Sequence, residues 1–238
     1  MTRFRVLQFN MQFGQMWNDV YPDRAPIRLE STLAEIKQHQ ADIILLQEVE
    51  QALPGGVQAQ PPPNYARLRA GLQDYDSWFS YPKADPRELP FGIGLAIFSR
   101  MPLRETMRRE LPSPPIEFDL LGRKTTPTDR LLIGAKTTAG GQDVQLFNTH
   151  LLAFFMLGSS STKNPFQRHL VAEYLAGARG PTILAGDFNV SNHGSLMEQF
   201  ARCGFTTVQD TEVTWRRRPF VLDHIFHNAF LRCELLHE

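Results

Sequence analysis

Asp187 and Asn189 are the pair in this 238-residue chain whose types and spacing most readily support chemistry. They close the run Thr182-Ile183-Leu184-Ala185-Gly186-Asp187-Phe188-Asn189-Val190, whose apolar content predicts a buried strand, with Gly186 letting the backbone turn at its end. Side chains two apart share a face on an extended chain, so both would stand on one rim. A carboxylate there can aim a water, and an amide can hold an oxyanion. A lone Asp-x-Asn is more often a strand end closed by Asx turns. The pair gains weight because Asn10, Glu48 and His150 also fall at predicted strand ends. One histidine is more often a satisfied structural residue than a catalytic one. Asp223 sits inside the apolar run 220–227, where a carboxylate needs a partner to offset desolvation. His224 follows it directly and would face the opposite way.

The elements that must position these residues alternate between strand and helix. Phe4 to Asn10 predicts a strand, residues 11–24 a loop, and Ile27, Leu33 and Ile36 a helical stripe behind Pro26. Asp42 to Glu48 is a short continuous apolar run, as expected for a strand covered on both faces. Pro54 to Asn64 and Pro112 to Pro127 read as irregular stretches, and strands are expected at Tyr75–Tyr81 and Ile93–Ser99. Gly92-Ile93-Gly94 precedes a strand and lacks a third glycine, which excludes a dinucleotide fingerprint. Leu131–Lys136 and Val144–His150 predict a hairpin around Gly140-Gly141. Helices are expected at 166–178 and 195–203, and strands at 213–216 and 220–227. The apolar stretch Phe154 to Leu157, just after His150, either packs on the core or meets an apolar substrate.

Composition bounds the function. The chain has 42% hydrophobic residues, enough for one large core, and a single domain over 1–238 is expected. Lys+Arg and Asp+Glu number 25 each, so net charge draws it neither to nucleic acid nor to an anionic membrane. Two cysteines, no basic-then-apolar leader and no apolar run of ~20 residues predict a soluble protein of a reducing, cytoplasmic compartment, here expected to be a monomer.

Six motifs, taken in order, resemble the endonuclease/exonuclease/phosphatase superfamily, which includes apurinic endonucleases, pancreatic deoxyribonuclease, neutral sphingomyelinases and inositol polyphosphate phosphatases. They are Leu7 to Asn10, Leu45 to Val49, Gly94 to Arg100, Phe147 to Leu151, Leu184 to Asn189 and Leu222 to Phe226. The resemblance implies an α+β four-layer sandwich of two mixed, mostly antiparallel sheets with helices on both outer sides. It implies a metal-dependent phosphate-ester hydrolase, acting on nucleic acid, a phospholipid head group or a small phosphate ester. Glu48 matches the chief metal-ligand glutamate and Asn10 the asparagine beside it, and such hard oxygen donors suit Mg²⁺ or Mn²⁺. Asp187 matches the residue that orients or deprotonates the attacking water, Asn189 and His150 match phosphate contacts, and Asp223 matches the aspartate that orients a late histidine. The family's closing Ser-Asp-His strand has no match in Leu235-Leu236-His237-Glu238, so the natural gene is expected to continue past Glu238 with that strand. The alternative is a catalytically weak member that binds a phosphorylated ligand or a protein partner.

Overall fold

Alternation of side chains between the two faces of each strand builds two sheets that share one apolar seam. The computed structural model describes residues 3–18, 20, 24–120, 122–215 and 217–236. The smaller sheet holds β1 (Val6–Asn10), β2 (Ile43–Gln51), β3 (Asp76–Ser80) and β4 (Gly92–Ser99) in the order β1-β2-β4-β3. In the larger sheet lie β5 (Arg104–Leu111), β8 (Arg130–Ala139), β9 (Gln142–His150), β10 (Thr182–Asp187), β11 (Phe205–Thr207) and β12 (Asp223–Asn228), ordered β11-β12-β10-β9-β8-β5. A separate hairpin joins β6 (Phe118–Leu120) to β7 (Arg123–Thr125). The β1–β2 and β9–β10 pairs are parallel and the other ladders antiparallel.

Each strand feeds two layers, because successive side chains point to opposite faces. Ile43 and Leu45 of β2 meet Leu131 and Ile133 of β8, Leu146 of β9 and Ile183 and Ala185 of β10 between the sheets. Ile44 and Leu46 point outward instead, onto Leu29 and Ile36 of α1 (Leu29–Gln38) and Leu68 of α2 (Pro63–Gly71). On the far side Leu184, Phe147 and Phe226 meet Leu170, Val171 and Leu175 of α3 (Phe166–Ala176) and Leu196 and Phe200 of α4 (His193–Ala201). The result is the expected helix-sheet-sheet-helix sandwich.

Several local expectations are corrected. The stretch 112–127 holds the small β6–β7 hairpin, and β5 and β11 were not foreseen. Residues 213–215 form no strand beyond an isolated bridge from Trp215 to Phe220, and Arg216 lies outside the described residues, as does His237. The final strand begins at Asp223 rather than at 220. No helix among the described residues is long and apolar enough to cross a membrane.

Candidate active site

All the candidate residues converge at one end of the seam between the sheets. Residues 6, 8 and 10 of β1 share a parity, and Val6 packs in the seam. Asp187 shares the parity of Ile183 and Ala185, and Asp223 that of Ile225, which also packs there. Asp187 pairs with His150 of β9 on one side and with Asp223 of β12 on the other. Three strand ends therefore bring their polar residues side by side without any long loop.

Two of the residues reach the site by leaving the regular strand. β2 runs past Glu48 to Gln51, but its pairing with β4 shifts between Gln47 and Glu50, and Glu48 takes the left-handed backbone conformation with φ 50°. That bulge re-aims Glu48, as bulges beside sites commonly do. Asn189 also has φ 50°, and its backbone N–H donates to Asp187 Oδ1 at 3.0 Å. An Asx turn of the kind expected from the sequence is thus present, and it serves to fold Asn189 back over the site. Gly186 answers to close approach: a Cβ there would collide with the Thr149 carbonyl of the neighbouring strand.

Asn10 joins the carboxylates. Its Nδ2 donates to Glu48 Oε1 and to Asp187 Oδ2, each at 3.0 Å, while its Oδ1 accepts from the Gln12 backbone N–H at 3.2 Å. Asn189 Nδ2 lies 2.9 Å from His150 Nε2 and donates to the Leu151 carbonyl at 3.0 Å. His150 Nε2 stands 3.9 Å from Glu48 and 3.8 Å from Asp187. Asp223 Oδ1 accepts from Gln8 Nε2 at 2.8 Å, and Gln8 also donates to Gln47 Oε1 at 2.6 Å. Gln47 passes a hydrogen to Asn148 Oδ1 at 2.7 Å, and Asn148 donates to the Leu46 and Ala96 carbonyls. This chain of amides ties the two sheets together beneath the carboxylates.

The electrostatics are those of an acidic cluster short of positive charge. Burial pushes Glu48 up to about 7, opposed by the Asn10 hydrogen bond and Arg130, and Asp223 pushes it further up. Asp187 lies well above the carboxylate range through burial and then the neighbouring Asp223. Burial also raises Asp223, against hydrogen bonds from Thr214 and Gln8. His150 falls to about 3 through burial and the charge of Arg130, so it is neutral at physiological pH. An imidazole nitrogen that accepts the Asn189 amide hydrogen leaves the ring proton on Nδ1. Among the described residues no three His, Cys, Asp or Glu side chains converge tightly enough to form a closed metal cage. One or two carboxylates completed by water is how Mg²⁺ is usually held.

The structure thus brings together Asn10, Glu48, His150, Asp187, Asn189 and Asp223, every residue singled out in the sequence. Sequence reasoning passed over Gln8, whose amide meets Asp223, and gave no role to Gln47 or Asn148. Polar residues at inward positions of otherwise apolar strands were the available sign. The stretch 154–157 divides: Phe154 is buried, Phe155 packs on Trp215 and Phe220 at 5.3 Å each, and Met156 stays exposed.

A family model described as Endonuclease/Exonuclease/phosphatase family matches residues 7–234, and the chain belongs to that family, whose members are hydrolases acting on phosphate esters. No curated protein matches it by sequence. Among solved structures, an endonuclease/exonuclease/phosphatase family protein from Leptotrichia buccalis is 18% identical, with 97% of this chain and 89% of that one covered at a TM-score of 0.63. A mannosyl-6-phosphatase from Bacteroides thetaiotaomicron gives 18%, 95% and 86% at 0.63. The catalytic domain of human Nocturnin, with bound sulfate, gives 20%, 95% and 83% at 0.59. At these identities the likeness is one of fold.

Proposed function

We propose that this chain, acting as one domain, is a divalent-cation-dependent hydrolase of a phosphate ester, with Asp187 as the residue that aims and deprotonates the attacking water. The observation that carries this reading is the Asn10 amide held between Glu48 and Asp187, with the neutral imidazole of His150 opposite. A carboxylate displaced upward by burial and by a like charge is a better base near neutral pH than a free aspartate. Asn189 and His150 supply the neutral polar groups that meet the phosphate oxygens, and both are oriented before substrate arrives. The donor set fits Mg²⁺ or Mn²⁺: Glu48 is the direct ligand, and Asn10, whose amide nitrogen is turned to the carboxylates, steadies it from the second rank. When bound, such an ion neutralises charge developing on the phosphate. Substrates of the proposed class are nucleic acid, a phospholipid head group or a small phosphate ester.

The test is a panel of phosphodiesters and phosphomonoesters assayed with Mg²⁺, with Mn²⁺ and with chelator, on wild type, Asp187→Asn and Asn189→Ala. Each variant should lose turnover by roughly 10²-fold or more, with melting temperature little changed. Activity indifferent to chelator, or variants near wild type, would place the chemistry elsewhere.

A further inference from the structure

Arg130, the first residue of β8, lines a small cleft with His150, Pro82, Gly92 and Gly94. Gly92 and Gly94 leave backbone alone on that wall. Arg130 is half-buried, and its Nε is buried with no hydrogen-bond partner. Among the described residues no hydrogen bond or ion pair reaches its guanidinium, although His150 on the same cleft lies 3.9 Å from Glu48 and 3.8 Å from Asp187. Its charge is nevertheless felt at both Glu48 and His150, lowering each. A guanidinium has five N–H donors in a planar fork, and here the buried one on Nε is left with nothing to donate to.

Resting on the phosphate-ester reading, we infer that Arg130 is a phosphate-anchoring residue: its guanidinium donates to a non-bridging oxygen of the ester phosphate from the His150 side of the cleft. Glu48 and Asp187 lie 3.9 Å and 3.8 Å from His150 Nε2, so the phosphate is held between an anchored cation and the ion that Glu48 would carry. A planar fork matches two phosphate oxygens at once, which an ammonium cannot do. Arg130 thereby supplies the permanent positive charge that the neutral His150 lacks.

The experiment is calorimetric titration of inorganic phosphate, and separately of Mg²⁺, into wild type, Arg130→Met and Arg130→Lys, alongside the hydrolysis panel. Arg130→Met keeps much of the apolar stem and should weaken phosphate binding roughly 10- to 100-fold, the worth of a hydrogen bond to a charged group. Arg130→Lys should fall between; Mg²⁺ affinity should hold or tighten in Arg130→Met, where a repelling cation has been removed, and stay near wild type in Arg130→Lys, which keeps the charge. Phosphate affinity within twofold of wild type in both variants overturns the assignment, as does failure of wild type to bind phosphate at all. If Arg130→Met does not fold, Arg130→Lys carries the test: phosphate affinity equal to wild type refutes the anchor, and a several-fold loss supports it. Phosphate binding that depends on Arg130 in a protein hydrolysing no phosphate ester would sink the hydrolase reading and leave this one standing. Full hydrolysis with Arg130-independent phosphate affinity would do the reverse.

Discussion

Glu48 holds its proton to about pH 7 because it is enclosed by protein and faces Asp223. Its affinity is higher in the fold than in the unfolded chain, whose value is 4.5, so the folded state binds more protons between those limits. The stability this group contributes is complete below pH 4.5 and is lost as pH rises through 7. A divalent cation that replaces the proton should cancel the loss. Metal-free protein is therefore expected to lose stability between pH 4.5 and 7, with Mg²⁺ reducing the slope and Glu48→Gln reducing it without metal; Glu50, which burial also raises to about 7, keeps a share of the slope in both cases. Urea midpoints at several pH values measure this. Mg²⁺ affinity should also fall as pH drops below 7, by up to about tenfold per unit, because proton and metal compete for one carboxylate. Affinity independent of pH over that range would show that Glu48 is not the ligand.

At the scale of elements, the site depends on departures from regular strand geometry. Left-handed backbone at Glu48 and Asn189 is uncommon for residues with a Cβ and is worth roughly 1–3 kcal/mol of strain apiece. Surrounding contacts hold it, and Gly92 is one of them, since a Cβ there would collide with the Glu48 side chain. Gly92→Ala should push Glu48 out of line, since the pairing of Gly92 with Gln51 of β2 holds its backbone against the bulge. The expected outcome is Mg²⁺ affinity reduced about tenfold or more, with the far-UV spectrum unchanged. Retention of wild-type affinity would mean that Glu48 can relocate freely. Asn10, His150 and Asp187 were legible as strand ends, since apolar runs that stop at a polar residue announce themselves. The bulge was not, because Gln47-Glu48-Val49-Glu50 carries no glycine to mark it. β5 escaped for a different reason: as an edge strand it is solvent-exposed along most of both faces, so it lacks apolar alternation and is held by its backbone ladder to β8.

At the scale of the molecule, the two sheets meet through apolar side chains over most of the seam and through the Gln8-Gln47-Asn148 amides at its polar end. Gln47 and Asn148 are fully buried, and each bonds across from one sheet to the other. Gln47→Leu keeps similar bulk but strips a partner from Asn148 Oδ1 and another from Gln8. Destabilisation of about 1–3 kcal/mol is expected, the usual penalty for a stranded buried polar group. Asp223 would lose the positioning of its Gln8 contact, so turnover on the best substrate should fall as well. Denaturant midpoints and kcat together test this, and a variant with wild-type values in both would make the amide chain incidental.

The sequence alone determined the list of polar strand ends, and its motifs carried a family resemblance that implied the layers. Period-two alternation dictates which residues of a strand share a face. The convergence of six residues drawn from five strands and a turn was left to the tertiary structure. Distances between β1, β9, β10 and β12 depend on strand order and register, quantities that no local window encodes. The protonation states followed from that convergence, for Glu48, Asp187 and His150 are shifted chiefly by burial that exists only once the sheets have closed over them. Arg130 carries the same lesson, since as a residue type it is an ordinary surface cation, and only packing against the cleft leaves its charge unanswered.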